Sequence, residues 1–171
     1  MKRVACLAFL YSALVGATYA QGILSAPLKT EVGPAVAVEG DHVAVNGVVF
    51  ALFGVDAPLR IQWCARDGQK FGCGLEALAA LEGLIENQTV TCEQVRDPHL
   101  RRRVLRFGRC TIGEKDLAAE MVRQGMAMAF PDQSEEYVQL EEEAKASKVG
   151  LWAADEFTPP WIWEDTYLNE R

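Results

Sequence analysis

The sequence predicts an α+β fold, mainly a five-stranded Greek-key barrel of the OB type with about three helices packed on it. Three observations carry the prediction. Five β-rich runs, at 35–38, 43–45, 48–53, 89–95 and 104–112, are short and bounded by turn-forming or polar residues. An Asn46-Gly47 pair separates the second run from the third and suits the positive φ angles of a type I′ hairpin turn. Apolar residues at helical spacing lie between the third run and the fourth and again after the fifth.

Taken in order, the first hairpin places Asp41 and Asp56 near the same end of the sheet. Between them the chain runs Gly40-Asp41-His42-Val43 to Gly54-Val55-Asp56-Ala57-Pro58. Two carboxylates converging there suit a hard cation, but each is also a common turn or capping residue, and spacing alone favours the turn reading. Leu75, Leu78, Leu81, Leu84 and Ile85 form the inner stripe of a first helix. Asp116 caps a second, with Leu117, Met121 and Val122 inward and Gly125 at its end. A third begins near Asp132, has Glu135 three residues on, turns Tyr137, Leu140 and Ala144 inward and stops at Gly150; Glu141, Glu142 and Glu143 read as its solvated face. The tail rings Trp152, Phe157, Trp161 and Trp163 are expected to pack back on the domain, each stabilising it by about 2 to 3 kcal/mol.

Bulk properties bound the rest. Lys2 and Arg3, the apolar run 4–15 and the small residues ending at Ala20 have the layout of a secretory signal peptide. The run is too short to favour a membrane-spanning helix. The resulting organisation is a signal peptide at 1–20, an N-terminal lead at 21–33 that need not be ordered, one domain at 34–163 and a tail at 164–171. The product is expected to be secreted or periplasmic, free of the membrane after cleavage, and monomeric. Losing two basic residues with the signal takes the formal charge from −7 to −9. Such a surface repels nucleic acid at long range and leaves room only for a compact basic site, of which 101–103 is the one candidate.

Cys6 leaves with the signal and four cysteines remain. An even count in an exported chain reads as two disulfides, and the spacings lack the paired Cys-x-x-Cys of a zinc site. Order alone permits three pairings. Cys92 and Cys110 fall in two neighbouring strand candidates while Cys64 and Cys73 bracket a loop entering a helix, so the expected bridges are Cys64 with Cys73 and Cys92 with Cys110. In the chain-entropy picture each contributes about 2 to 4 kcal/mol.

The hairpin motif Gly40-Asp41-His42-Val43 followed by Phe50-Ala51-Leu52-Phe53-Gly54-Val55-Asp56-Ala57-Pro58 resembles the signature of the staphylococcal nuclease-like, or thermonuclease, family. Gly72-Cys73-Gly74, Asp116-Leu117, Val122-Arg123-Gln124-Gly125 and Gly150-Leu151-Trp152 follow in the family's order, and the similarity covers about residues 35–163. The resemblance implies a barrel whose mouth binds one Ca²⁺ and a phosphodiester of DNA or RNA. It implies that Asp41, Asp56 and the Ala57 carbonyl hold the metal, which overrides the turn-only reading, and that Glu39 reinforces a negative mouth.

The same resemblance marks departures. Ala51 stands where the family has its first phosphate-binding arginine, and Leu59 where it has the glutamate that assists the attacking water. Alanine makes no bidentate contact to phosphate and leucine accepts no proton. The second arginine matches Arg103, with Arg102 and Arg101 beside it, though the family's Tyr-Gly element is missing before it. His42 and His99 are the candidates to replace the lost base, against the plainer reading that His42 points to solvent and His99 follows Pro98 in a turn. Arg60 is a further candidate for phosphate. Two functions follow: an exported Ca²⁺-dependent nuclease, weakened or inactive, or a catalytically silent barrel that binds an anionic ligand or a protein partner in the cell envelope.

Overall fold

In the computed structural model, residues 28–96 and 106–169 are described. The chain runs β1 (Thr30–Glu39), β2 (His42–Val45), β3 (Val48–Leu52), β4 (Val55–Asp56), β5 (Cys64–Arg66), β6 (Gln69–Phe71), α1 (Cys73–Ile85), β7 (Thr89–Val95), β8 (Phe107–Ile112), β9 (Lys115–Asp116), α2 (Leu117–Arg123), β10 (Met128–Ala129), α3 (Val138–Ser147), a 3₁₀ turn (Gly150–Ala153) and α4 (Pro160–Asn169).

Five strands close the barrel, as the sequence predicts. The long β1 pairs antiparallel with β7 through Thr30–Pro34 and with β2 through its second half, with an irregularity between Ala37 and Glu39. β2 pairs with β3 in the register His42↔Ala51 to Val45↔Val48. The ring shuts where β3 meets β8 in parallel, Ala51 opposite Phe107 and Leu52 opposite Gly108. A Cβ at Gly108 would come within 2.8 Å of the Phe50 ring, so glycine lets the two strands meet. At the hairpin tip Asn46 and Gly47 have φ of 52° and 78°, the positive pair a type I′ turn needs. Val43, Val45, Phe50, Leu52, Leu81, Val90, Leu117 and Met121 fill the interior. Both expected disulfides are present, and Cys92–Cys110 joins directly opposed residues of β7 and β8.

The structure corrects several expectations. The lead reaches into the fold, because Thr30–Gly33 already pairs with β7. Leu75 faces water at 56% exposure, and Ala77 takes its place in the core. The reason is close approach: α1 packs on the corner at Gly40, where a Cβ would lie 2.7 Å from that of Ala77. Helix α3 starts at Val138 and not near Asp132; residues 131–137 make turns, and Tyr137 is drawn inward to donate its hydroxyl to Asp116 Oδ2 at 2.8 Å. Glu141 is not solvated. It is buried, accepts from the Ala129 amide at 3.1 Å and from Lys145 Nζ at 2.8 Å, and leaves only Glu142 and Glu143 outside.

Two elements are additions to the sequence reading. Asp67-Gly68 turns the β5–β6 hairpin with φ of 52° and 70°. The tail beyond the 3₁₀ turn forms α4, which extends the helical structure past residue 163. Of the tail aromatics, Trp152, Phe157 and Trp161 pack back as expected, joining Phe71 of β6 against the buried group Cys64, Cys73, Met128 and Leu151, whereas Trp163 stacks on Tyr167 of its own helix.

Candidate functional site

The site grows from the corner between β1 and β2. Gly40 and Asp41 make the turn between β1 and β2, Gly40 lying against α1 and Asp41 buried, with its backbone carbonyl accepting from the Leu52 amide at 2.8 Å. Its carboxylate is held at both oxygens: Oδ1 lies 2.6 Å from His42 Nδ1, and Oδ2 accepts from the Ala57 amide at 3.3 Å. Asp56 comes in on β4, which is fixed from the far side by β10 with Asp56 opposite Met128. Pro58 and Leu59 follow, and a Cβ at Gly74 would collide with the Leu59 carbonyl, so this loop lies directly on the start of α1. Glu39 Oε2 accepts from the Arg60 amide at 2.8 Å and ties the same loop to β1.

The electrostatics follow from two carboxylates sharing one partly dry corner. Burial comes first among the causes that push the Asp56 carboxyl up to about 8, followed by the charge of Asp41, the charge of Glu164 and a hydrogen bond with Asp41; His42 works weakly in the other direction. Burial alone would lower the His42 pKa. Its hydrogen bond to Asp41 and the charges of Asp41, Glu39 and Asp56 outweigh that and raise it. The corner therefore holds protons that an isolated pair of aspartates would lose.

Of the predicted site residues, the fold brings Asp41, His42, Asp56 and Ala57 together. His42 does not point to solvent; its ring is turned onto Asp41. Ala51 lies opposite His42 across the hairpin, is buried, and donates its amide to the Arg106 carbonyl at 2.8 Å. His99, Arg101, Arg102 and Arg103 lie outside the described residues. Among the described residues no group of three His, Cys, Asp or Glu side chains is gathered to hold a metal ion.

Glu164 was missed. It reaches the corner because Trp161, one helical turn earlier on α4, packs its ring 5.6 Å from that of Phe130, next to the β10 strand paired with Asp56. No local signal announces this; it depends on where α4 docks.

A closed five-stranded barrel carrying an aspartate in the β1–β2 turn and another on β4 at one corner defines a nuclease-type OB domain. The chain belongs to the staphylococcal nuclease homologue family, whose model matches residues 49–154. It is 34% identical over 116 residues to the probable endonuclease LCL3 of Scheffersomyces stipitis, covering 62% of this chain and 48% of that protein. The probable endonuclease lcl3 of Botryotinia fuckeliana is 32% identical over 124 residues, 67% of this chain and 46% of that one. Protein ParB of Escherichia coli is 36% identical over 61 residues, covering 33% and 34%. The chain spans about half the length of the two endonucleases.

Proposed function

We propose that this is an exported, Ca²⁺-binding member of the nuclease family in which ordinary phosphodiester hydrolysis is weakened or lost. The reading is supported by the convergence of Asp41 and Asp56 at one corner and by the motif resemblance, which aligns Ala51 and Leu59 with the family's arginine and glutamate positions. The carboxylates and the Ala57 carbonyl would hold the ion, with water completing the six to eight oxygens calcium takes. The repulsion that lifts the Asp56 pKa is what a divalent cation relieves. When bound, the ion would polarise a phosphoryl oxygen.

The remaining steps of hydrolysis are poorly supplied. Losing a general base costs about 10²- to 10⁴-fold and losing a preorganised electrostatic donor about 10²- to 10³-fold. His42 is bonded to Asp41, so it orients that carboxylate better than it takes a proton from water. Arg103, with Arg101, Arg102 and His99 beside it in sequence, is the remaining candidate for phosphate and for local nucleic-acid contact.

Export rests on the leader at 1–20 and on two disulfides, which persist in secreted or periplasmic proteins. N-terminal sequencing of the protein from the envelope should start at Gln21; a chain that begins at Met1 would overturn the export reading. Among the described residues no helix is long and apolar enough to cross a membrane. The mature protein is read as a monomer. The deciding experiment is cleavage of DNA and RNA by purified mature protein with Ca²⁺ and with chelator. The expected result is little or no Ca²⁺-dependent cleavage in the natural chain; turnover at the rate of an intact family site would refute the weakened reading.

A further inference from the structure

Beyond the mouth, the molecule leaves a second concave surface open, built by the β4–β5 connection and α4. One depression of about 510 Å³ is lined by Ile61, Trp63, Thr158, Trp163, Thr166 and Tyr167. A second, of about 440 Å³, shares Trp63, Thr158 and Trp163 and continues over Asp155, Glu156 and Phe157. Large apolar groups stand in water here: Ile61 at 56% and Trp63 at 49% exposure. The Trp163 and Tyr167 rings are stacked, 4.9 Å apart and 13° from parallel.

Two observations say what such a surface takes. From Val149 to Glu170 there is no lysine or arginine, while Asp155, Glu156, Glu164 and Asp165 are acidic and exposed. The groove thus combines aromatic faces with negative charge, the chemistry that holds an organic cation. The protein already displays that contact in miniature, because Lys70 Nζ sits 3.7 Å above the centre of the Trp63 ring. A nucleic-acid strand would find the aromatic faces but meet repulsion from the carboxylates.

We propose that this groove is a binding site for an arginine- or lysine-bearing segment of a partner protein, whose cationic side chains stack on Trp63 and Trp163 and pair with Glu156. Arginine suits it best, since its planar head stacks on rings and forks onto carboxylates. Lys70 is the internal competitor for the Trp63 face. The site is independent of calcium and of catalysis at the barrel corner.

The test is titration of mature protein with a fluorescent oligo-arginine peptide at physiological salt, with oligothymidylate and anionic vesicles as rival probes. Trp163→Ala should weaken peptide binding about tenfold and Trp163→Phe should restore most of it, because the ring face carries the contact. Lys70→Ala, which uncovers the Trp63 ring, should tighten binding a few-fold. Glu156→Gln should weaken binding, whereas Glu143→Gln, the same charge change on α3, should leave it unchanged. The proposal is overturned if affinity follows net charge alone, with Glu143→Gln equal to Glu156→Gln, or if Trp163→Ala binds the peptide as tightly as the natural chain. It is equally overturned if oligothymidylate or vesicles bind the groove residues and the peptide does not.

Discussion

Two sets of carboxylates in this protein leave bulk water under different terms. Asp116 and Glu141 each meet donors: Asp116 accepts from the amides of Ala118 and Ala119 and from the Tyr137 hydroxyl, and Glu141 from the Ala129 amide and Lys145. Asp41 and Asp56 meet each other, with one histidine and one amide between them. The first arrangement closes its hydrogen bonds within the fold and reads as architecture. The second leaves a charge conflict that only a proton or a cation resolves, and reads as a site.

Predictions that break or sharpen this contrast run from large to small. On the proposed reading, Ala51→Arg and Leu59→Glu together should raise Ca²⁺-dependent nuclease activity by about 10²-fold or more. Initial rates on DNA check it, and an Asp41→Ala background should abolish the gain. No gain in a folded double variant would mean that the aspartate corner does not serve as a metal site.

Asp116→Ala removes the cap of α2 and strands the buried Tyr137 hydroxyl, so it should cost about 2 to 4 kcal/mol in denaturant unfolding. Burial and the Asp116 bond both hold the Tyr137 pKa above its ordinary value, and loss of that bond should bring it down in a spectrophotometric titration.

The Asp56 pair predicts a pH dependence of defined sign. Its carboxyl is raised from 3.8 to about 8 in the fold, so the native state binds the extra proton between those values and stability falls as pH rises through them, by at most about 1.4 kcal/mol per unit. The raised His42 acts in the same direction, since its contribution is present at low pH and lost as pH climbs past its folded value. Urea unfolding in chelator across this range checks it, and Asp56→Asn should flatten the slope. At the small end, Glu142→Gln should change stability by less than about 0.5 kcal/mol. Glu141→Ala should cost about 1 to 3 kcal/mol, because it leaves the Ala129 amide buried and unpaired.

How much of this was legible in the sequence depended on the range of the interaction. The Asn46-Gly47 hairpin, the Asp116 cap and the five strands announce themselves through neighbours a few residues apart. Asp67-Gly68 carried the same turn signal, but its flanks Arg66 and Gln69 lack the alternating apolar pattern that marks strands. Helix α4 offered Pro160 at its first position, a recognised start, yet its apolar residues Trp161, Ile162 and Trp163 are adjacent rather than periodic. Glu141 looked like part of a charged run because its partner, the Ala129 amide, lies twelve residues away. The aspartate corner was legible through its motif; the contribution of Glu164 was not, since it arises from the packing of Trp161 on Phe130.

The Cys92–Cys110 bridge has a consequence for how the chain comes apart. The bridge spans the segment that carries His99 and Arg101 to Arg103, with the β7–β8 ladder continuing on the loop side to Val95↔Phe107. A protease that cuts once between those strands produces two fragments that remain one covalent molecule, migrating together on a gel until a reductant is added. The basic stretch can thus be nicked without releasing either half of the barrel.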